Sequence, residues 1–466
     1  MLRFFFVLAV VVPWTVGQPV DLEREIREAF NLGGFPSLAV AVVVGDDSPV
    51  MEVHGWADRA AGQRATRATQ YRIGGLSKVF TATLLVQLRD EGRLGLDDPV
   101  SKFLPEGVKL PADPRGARYI TLRHLATHSS GLPRNPVSRT ERESDPWNGY
   151  SVQRLYEGLA RTKLAFPTGA SGRYSNLGVG LLGHALGRSL DMPFEDALRR
   201  KLLAPLGMSS TRIAMSPAQL KSVATPYARQ DPSKIVRAWD YGCLAGCGGI
   251  TSNLPDLRRF VSLNLRAGLS GVEPVRGASL TELHTPQRIW DGWSKATGLV
   301  WIVDHTRDAG DIVWHSGGSQ GFASWLGFSP RWKIGVIVLT NCGRPVDDVG
   351  NRLLRQALKK YRKLSPKFRA MAERLVPHLV ATPGDKVKGL FHEDFLKDVP
   401  FSVLKNVLSG LAKKHGACSR VLRVDPADRP ELANVVFQFA DLSLVTGKMG
   451  VSEGDPAKIV YLRFGR

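Results

Sequence analysis

Leu38 to Val44 (LAVAVVV) is an unbroken apolar run rich in β-branched residues, closed by Gly45-Asp46-Asp47. The pattern predicts a buried strand and a turn, with a second strand over Val50 to Trp56 pairing back onto the first. From Lys78 to Arg93 the period changes: Phe80, Leu84, Leu85 and Leu88 recur at helical spacing until Glu91-Gly92-Arg93 ends the run. One amphipathic helix with its apolar face in the core is expected there. Helical periods and loops then dominate about 100 to 290, with helices expected over Leu122 to Thr127, Val152 to Ala160, Leu177 to Leu190, Phe194 to Leu203 and Leu254 to Arg266. Strands return over Gly298 to Val303, Asp311 to Trp314, Ala323 to Phe328 and Ile334 to Thr340, spaced by turn residues as successive antiparallel strands are. A helix from Val346 to Tyr361 closes the unit.

Strands at both ends of a helical insertion imply one α+β unit, residues 18–362, whose antiparallel sheet is assembled from its N- and C-terminal segments. The basic stretch Lys359 to Lys367, broken by Pro366, reads as a linker. Beyond it, residues 363–466 offer helices near Phe368 to Leu379 and Ser402 to Lys414. Strands are expected at Ser419 to Val424, Leu432 to Phe439, Leu442 to Gly447 and Lys458 to Phe464. This is the pattern of a second, smaller α+β domain.

Composition narrows the class without naming a function. With 466 residues, 43% of them hydrophobic, the chain is neither disordered nor collagen-like, and no series of long apolar segments marks a polytopic membrane protein. Lys and Arg total 63 against 43 Asp and Glu, a net charge of +20, but they are scattered along the chain. Such a balance suits an anionic setting, such as a cell-envelope surface, and no basic helix points to nucleic acid. Arg3, the apolar run Phe4 to Val12 and the small residues of Thr15-Val16-Gly17 read as a signal peptide, residues 1–17. A membrane anchor would need about 20 apolar residues, and Pro13 and Gln18 interrupt the run. The expectation is export to a periplasmic or extracellular space. There the four cysteines, Cys243, Cys247, Cys342 and Cys418, can pair in three ways or stay free. Cys243-x-x-x-Cys247 lacks a second close pair of ligands, so no metal site is expected.

Five phrases carry a family likeness. YRIGGLSKVFTATLLVQLRDEGRLGLDDPVSKFLP (71–105), ITLRHLATHSSGLP (120–133), YSNLGVGLLGHAL (174–186), LLAPLGM (202–208) and WHSGGSQGFASWLGFSP (314–330) occur in the order and spacing of one superfamily. The chain resembles the serine β-lactamases and penicillin-binding proteins, nearest the class C β-lactamase and D-alanyl-D-alanine carboxypeptidase branch. The resemblance implies a β-lactamase/transpeptidase-like fold, an antiparallel sheet with a helical domain, and acyl transfer to a serine without metal or cofactor. Lys78 matches the lysine of the S-x-x-K element, but the serine position holds Gly75. Ser77 is the nearest hydroxyl, yet it lies two residues on, about 200° around a helix from Gly75, so it should point away from the cleft.

The remaining elements match. Tyr174-Ser175-Asn176 is the family's Y-x-N, with Tyr174 implied as proton acceptor beside Lys78 and Asn176 as binder of the substrate amide. His315-Ser316-Gly317 is its H-x-G motif, and the position after it, Gly318, is implied to join Gly75 in donating backbone N–H groups to an oxyanion. Lys78, with His315 as a second candidate cation, should favour acidic ligands. The resulting expectation is a pseudoenzyme that binds a peptidoglycan-type peptide, a small carboxylate or a partner in the former cleft. The alternative is a working hydrolase that uses Ser77 or an activated water. In the C-terminal region, Phe391-His392-Glu393-Asp394-Phe395-Leu396 followed by Val399-Pro400 resembles the cystatin-like modules sometimes attached to β-lactamase-like proteins.

Overall fold

The computed structural model describes residues 20–466 apart from 114–118, 137–146, 148, 292–294, 307–309, 362–365, 381–382, 427–431, 442, 453–457 and 466. The expected signal segment, residues 1–17, lies outside the described residues. Among those described, no helix is long and apolar enough to cross a membrane.

The strands are β1 (Ser37–Val44), β2 (Asp47–Asp58), β3 (Gln63–Arg64), β4 (Tyr71–Arg72) and β5 (Thr251–Ser252), then β6 (Arg288–Asp291), β7 (Lys295–Thr297), β8 (Ile302–Thr306), β9 (Gly310–Ser319), β10 (Phe322–Ser329) and β11 (Ile334–Thr340). Nine of them form one antiparallel sheet in the order β3-β2-β1-β11-β10-β9-β8-β7-β6, while β4 and β5 pair separately. The chain ends meet at the centre: β1 pairs β11 with Ala39 opposite Leu339 and Val42 opposite Val336. The sheet assembled from both ends of the unit, expected from the sequence, is therefore present.

The unbroken apolar run of β1 has a structural reason. Successive side chains leave a strand on opposite faces, and both faces of this sheet are covered. Ala39, Ala41 and Val43 enter one core, shared with the helices Ser77–Asp90 and Leu254–Leu265. Leu38, Val40 and Val42 enter the other, shared with the helices Leu22–Gly33 and Asp347–Tyr361. Each fully buried Val or Leu contributes about 1.5–3 kcal/mol, so a polar residue placed anywhere from Leu38 to Val43 would be strongly destabilising. The buried Ser37 that opens the strand is accommodated because its hydroxyl donates to Asn341 Oδ1 at 2.6 Å.

Two expectations change. The helix after Gly75 is not half-exposed: every residue from Ser77 to Leu88 is buried, because it runs between the sheet and the helical insertion. Its threonines are satisfied inside, with Thr81 Oγ1 donating to the Gly246 carbonyl at 2.7 Å and Thr83 Oγ1 to the Val79 carbonyl at 2.7 Å. The strand expected over Gly298 to Val303 is instead a buried connection followed by β8. Leu299 and Val300 donate their N–H groups to the carbonyls of Leu283 and Ala126, at 3.0 and 2.7 Å, and Val300 sits at φ 71°. The run is apolar because it is buried, not because it is paired.

Toward the C-terminus, the helix Phe401–His415 and strands β12 (Cys418–Pro426), β13 (Leu432–Phe439), β14 (Leu444–Val451) and β15 (Ile459–Gly465) enclose a third core around Leu404, Leu408, Phe437 and Phe439. These four strands form an antiparallel sheet in sequence order. All four cysteines are free thiols.

Candidate functional site

Three segments meet beside the sheet. The first is the 3-10 turn Gly74–Leu76, which feeds the Ser77–Asp90 helix. Gly74 has φ 52°, and a Cβ there would stand 2.6 Å from the Gly318 carbonyl oxygen, so only glycine lets this turn lie against β9. The second is the Tyr174-Ser175-Asn176 turn. Ser175 Oγ accepts the Gly178 N–H at 2.9 Å, capping the helix Asn176–Arg188, and donates to the Pro133 carbonyl at 2.7 Å. The third is the end of β9, where Gly317 is wedged under the first turn.

A Cβ on Gly317 would fall 1.9 Å from the Ile73 carbonyl oxygen and 2.8 Å from the Leu76 nitrogen. Gly317→Ala should therefore push the turn off β9. Overpacking of this kind costs about 1–3 kcal/mol, occasionally more, and thermal melts should show a loss of several degrees. An unchanged melting temperature would mean the turn is not held there.

These segments bring Gly75, Lys78, Tyr174, Asn176, His315 and Gly318 to the walls of one cavity of about 360 Å³. A Cβ on Gly75 would stand 3.1 Å from Tyr174 Oη, 3.2 Å from the Ser316 carbonyl oxygen and 3.5 Å from Lys78 Nζ. Position 75 thus aims at the two groups that could handle a proton. Ser77 does not line the cavity: its buried Oγ accepts the Ile250 N–H at 3.0 Å on the other side of the turn. Lys78 is fully buried, donates to the Cys247 carbonyl at 2.6 Å and lies 4.9 Å from the centre of the Tyr174 ring. The ring of Tyr174 also packs against His128, with centroids 4.7 Å apart. Asn176 Nδ2 donates to Asn135 Oδ1 at 2.8 Å, which leaves its own carbonyl oxygen for a ligand N–H.

His315 is not a cation. Burial, then the charge of Lys78, pushes its pKa down to about 3, and its Nδ1 donates to the Ser316 carbonyl at 2.7 Å. A carbonyl only accepts, so Nδ1 carries the proton and the buried Nε2, with no partner among the described residues, offers a lone pair. The pairing of Lys78 with a charged His315, expected from sequence, does not hold.

The sequence reading missed a second part of the cavity. Trp147, Trp239 and Tyr241 form an aromatic wall, with Trp147 and Tyr241 centroids 5.1 Å apart, and Arg134 and Asn135 stand at the rim. They come from loops, where no period marks them; the run Gly131-Leu132-Pro133-Arg134-Asn135 beside a matched phrase was the available signal. A larger cavity, about 700 Å³, opens at the other end of β9 beside His284 and Lys333 and contains none of these residues.

An antiparallel sheet closed by both ends of the unit, a helical insertion and a cleft between them belong to the β-lactamase/transpeptidase-like class of fold. Comparison with known proteins sharpens this. The Beta-lactamase family model matches residues 22–359, and the chain belongs to that family. D-alanyl-D-alanine-carboxypeptidase/endopeptidase AmpH of Escherichia coli is 26% identical over 327 residues, 68% of this chain and 82% of that protein. A beta-lactamase of Providencia stuartii is 27% identical over 354 residues, 70% of this chain and 87% of that protein. Among solved structures, a beta-lactamase/D-alanine carboxypeptidase from Yersinia pestis complexed with citrate superposes with a TM-score of 0.61 at 25% identity, covering 73% of this chain and 97% of its own.

Proposed function

We propose that this β-lactamase-family protein is a pseudoenzyme, exported from the cell, whose cleft binds a peptide-type ligand with a carbonyl or carboxylate and forms no acyl-enzyme. The observation that carries this reading is position 75. A side chain there would face Tyr174 Oη and Lys78 Nζ, and glycine supplies no atom to acylate. Ser77 is a poor surrogate, because its oxygen is buried and engaged with the Ile250 N–H. What remains suits recognition: the Asn176 carbonyl for an N–H, the lone pair of His315 Nε2 for a second donor, and the glycines at 75 and 318 where a ligand oxygen can approach the backbone. Citrate in the Yersinia pestis neighbour and the carboxypeptidase among the relatives support a carboxylate-bearing ligand of the peptidoglycan-peptide kind.

The purified protein is expected to take no denaturation-resistant label from a fluorescent penicillin and to hydrolyse a chromogenic cephalosporin no faster than a denatured control. Stoichiometric labelling would overturn the reading. Turnover without labelling would favour direct attack by a water held between Tyr174 and Lys78.

A further inference from the structure

The larger cavity, about 700 Å³ at the far end of β9, is lined by cations that its own structure does not neutralise. Lys333 sits half-buried in the turn between β10 and β11 at φ 54°, the left-handed region that disfavours an L side chain. The backbone there needs no lysine, because its carbonyl accepts the Gly45 N–H at 2.8 Å and a glycine would do the same. What lysine adds is a charge on the cavity wall, held by one long bond of 3.4 Å from Nζ to the Ala267 carbonyl. Arg331 lines the same wall, its guanidinium lying so close to Gly310 that a Cβ there would stand 3.0 Å from Nη1. The one carboxylate among the described lining residues, Asp311, accepts from His305 Nδ1 at 2.8 Å.

The cavity is also rich in acceptors. Asn264 Nδ2 donates to the Phe260 carbonyl at 2.8 Å, which orients its amide so that Oδ1 accepts from His284 Nε2 at 2.9 Å. His284 therefore carries its proton on Nε2, and its buried Nδ1 is a lone pair with no partner among the described residues. Burial, then the charge of Lys333, keeps the ring neutral. Thr281 lies one turn before His284 on the helix Gly277–His284, and Thr285 just past its end. Their hydroxyls donate to the Gly277 and Thr281 carbonyls at 3.1 and 2.8 Å, which leaves oxygen lone pairs toward a ligand. A bare anion would answer Lys333 and Arg331 but would offer these acceptors no hydrogen.

We propose that this cavity is a second binding site, built for a small anionic sugar. A carboxylate or phosphate meets Lys333 and Arg331, hydroxyls donate to His284 Nδ1 and the two threonines, and the C–H face of the ring lies on Val313 and Pro330. The volume is in the range of ordinary small-molecule pockets. The site stands at the opposite end of β9 from position 75 and does not depend on what the cleft binds.

The test is calorimetry on the full chain with glucuronate, glucose 6-phosphate, glucose and inorganic phosphate. At least one anionic sugar should bind about tenfold more tightly than glucose or phosphate alone, and the tighter of the two identifies the anionic group. Lys333→Gly should weaken that ligand about five- to tenfold. It should melt no lower than wild type, because glycine relieves the backbone at φ 54°. With isotope-labelled histidine, the same sugar should shift the Nδ1 resonance of His284 and leave that of His315 in place. Phosphate or glucose binding as tightly as the anionic sugars overturns the proposal, the former meaning an adventitious ion only. Unchanged affinity in Lys333→Gly, a shift at His315 instead of His284, or no heat at tens of millimolar ligand overturns it as well.

Discussion

Gly75→Ser is expected to turn a protein that takes no penicillin label into one that is labelled stoichiometrically, over minutes to hours, with the adduct on residue 75. A Cβ at 75 is already aimed at Tyr174 Oη and Lys78 Nζ, so a hydroxyl one bond further falls within reach of both. An acylating serine needs a neighbouring base and donors for the oxyanion. The variant would have Tyr174 and Lys78 for the first, and the backbone at 75 and 318 for the second.

The steric cost of that change is small but real. At 3.1 Å from Tyr174 Oη and 3.2 Å from the Ser316 carbonyl oxygen, the new Cβ requires each neighbour to yield by a few tenths of an ångström. The tip of a tyrosine can do so; the β9 backbone is stiffer. Against this, serine is a better helix residue than glycine by a few tenths of a kcal/mol, so the melting temperature should change little. Two companions make the result specific. Gly75→Ala carries the same Cβ without an oxygen and should take no label. Gly75→Ser combined with Lys78→Ala should lose most of the gain, because a serine without its base retains only a small part of the acceleration. If Gly75→Ser folds and stays unlabelled, Tyr174 and Lys78 no longer form a competent base, and the family relation explains the fold alone.

What the sequence made legible follows from which interactions are local. The β1, β10 and β11 strands are readable because burial on both faces makes runs of consecutive residues apolar, and the helix after Gly75 because its large apolar side chains recur at helical spacing. Lys78, Tyr174, Asn176 and His315 are readable because their motifs are short and keep their spacing. Two kinds of information were not local. Leu299 and Val300 look like part of a strand, but their N–H groups bond Leu283 and Ala126, 16 and 174 positions away in the chain. The charge of His315 depends on how completely the fold desolvates it, and the aromatic wall depends on loops that meet only in three dimensions. A residue's type can be read from a motif; its protonation state cannot.

Acid should begin to destabilise the protein well above the pH at which its carboxylates titrate. His128, His284 and His315 are all buried, and burial is the first cause holding each pKa below the ordinary 6.5, to about 3 for His284 and His315 and well below normal for His128. Lys78 adds to the effect on His128 and His315, and Lys333 on His284. In the unfolded chain each takes a proton near pH 6.5, so the unfolded state binds more protons between that pH and about 3. Their contribution is therefore complete above about 6.5 and is lost as the pH falls through this window, at about 1.4 kcal/mol per unit for each histidine and about 4 for the three together. Domains commonly have about 5–15 kcal/mol to lose, and the +20 charge at pH 7 grows in acid, adding self-repulsion. Denaturant midpoints should be level from pH 8 to 7 and fall steeply from 6 to 4.5. The cleft should fail only together with the fold, because His315, which lines it, and His128, whose Nδ1 accepts the Ser175 N–H at 3.2 Å, are both held neutral by burial in the folded protein. His284→Gln can keep a donor for Asn264 Oδ1, which His284 Nε2 meets at 2.9 Å, while removing one titrating group. That variant should flatten the pH slope by about a quarter, because His184, held down to about 4 by burial and then by Arg188, titrates in the same window. A midpoint that holds steady down to pH 5 would mean these rings are hydrated or already paired in a way that tolerates a proton.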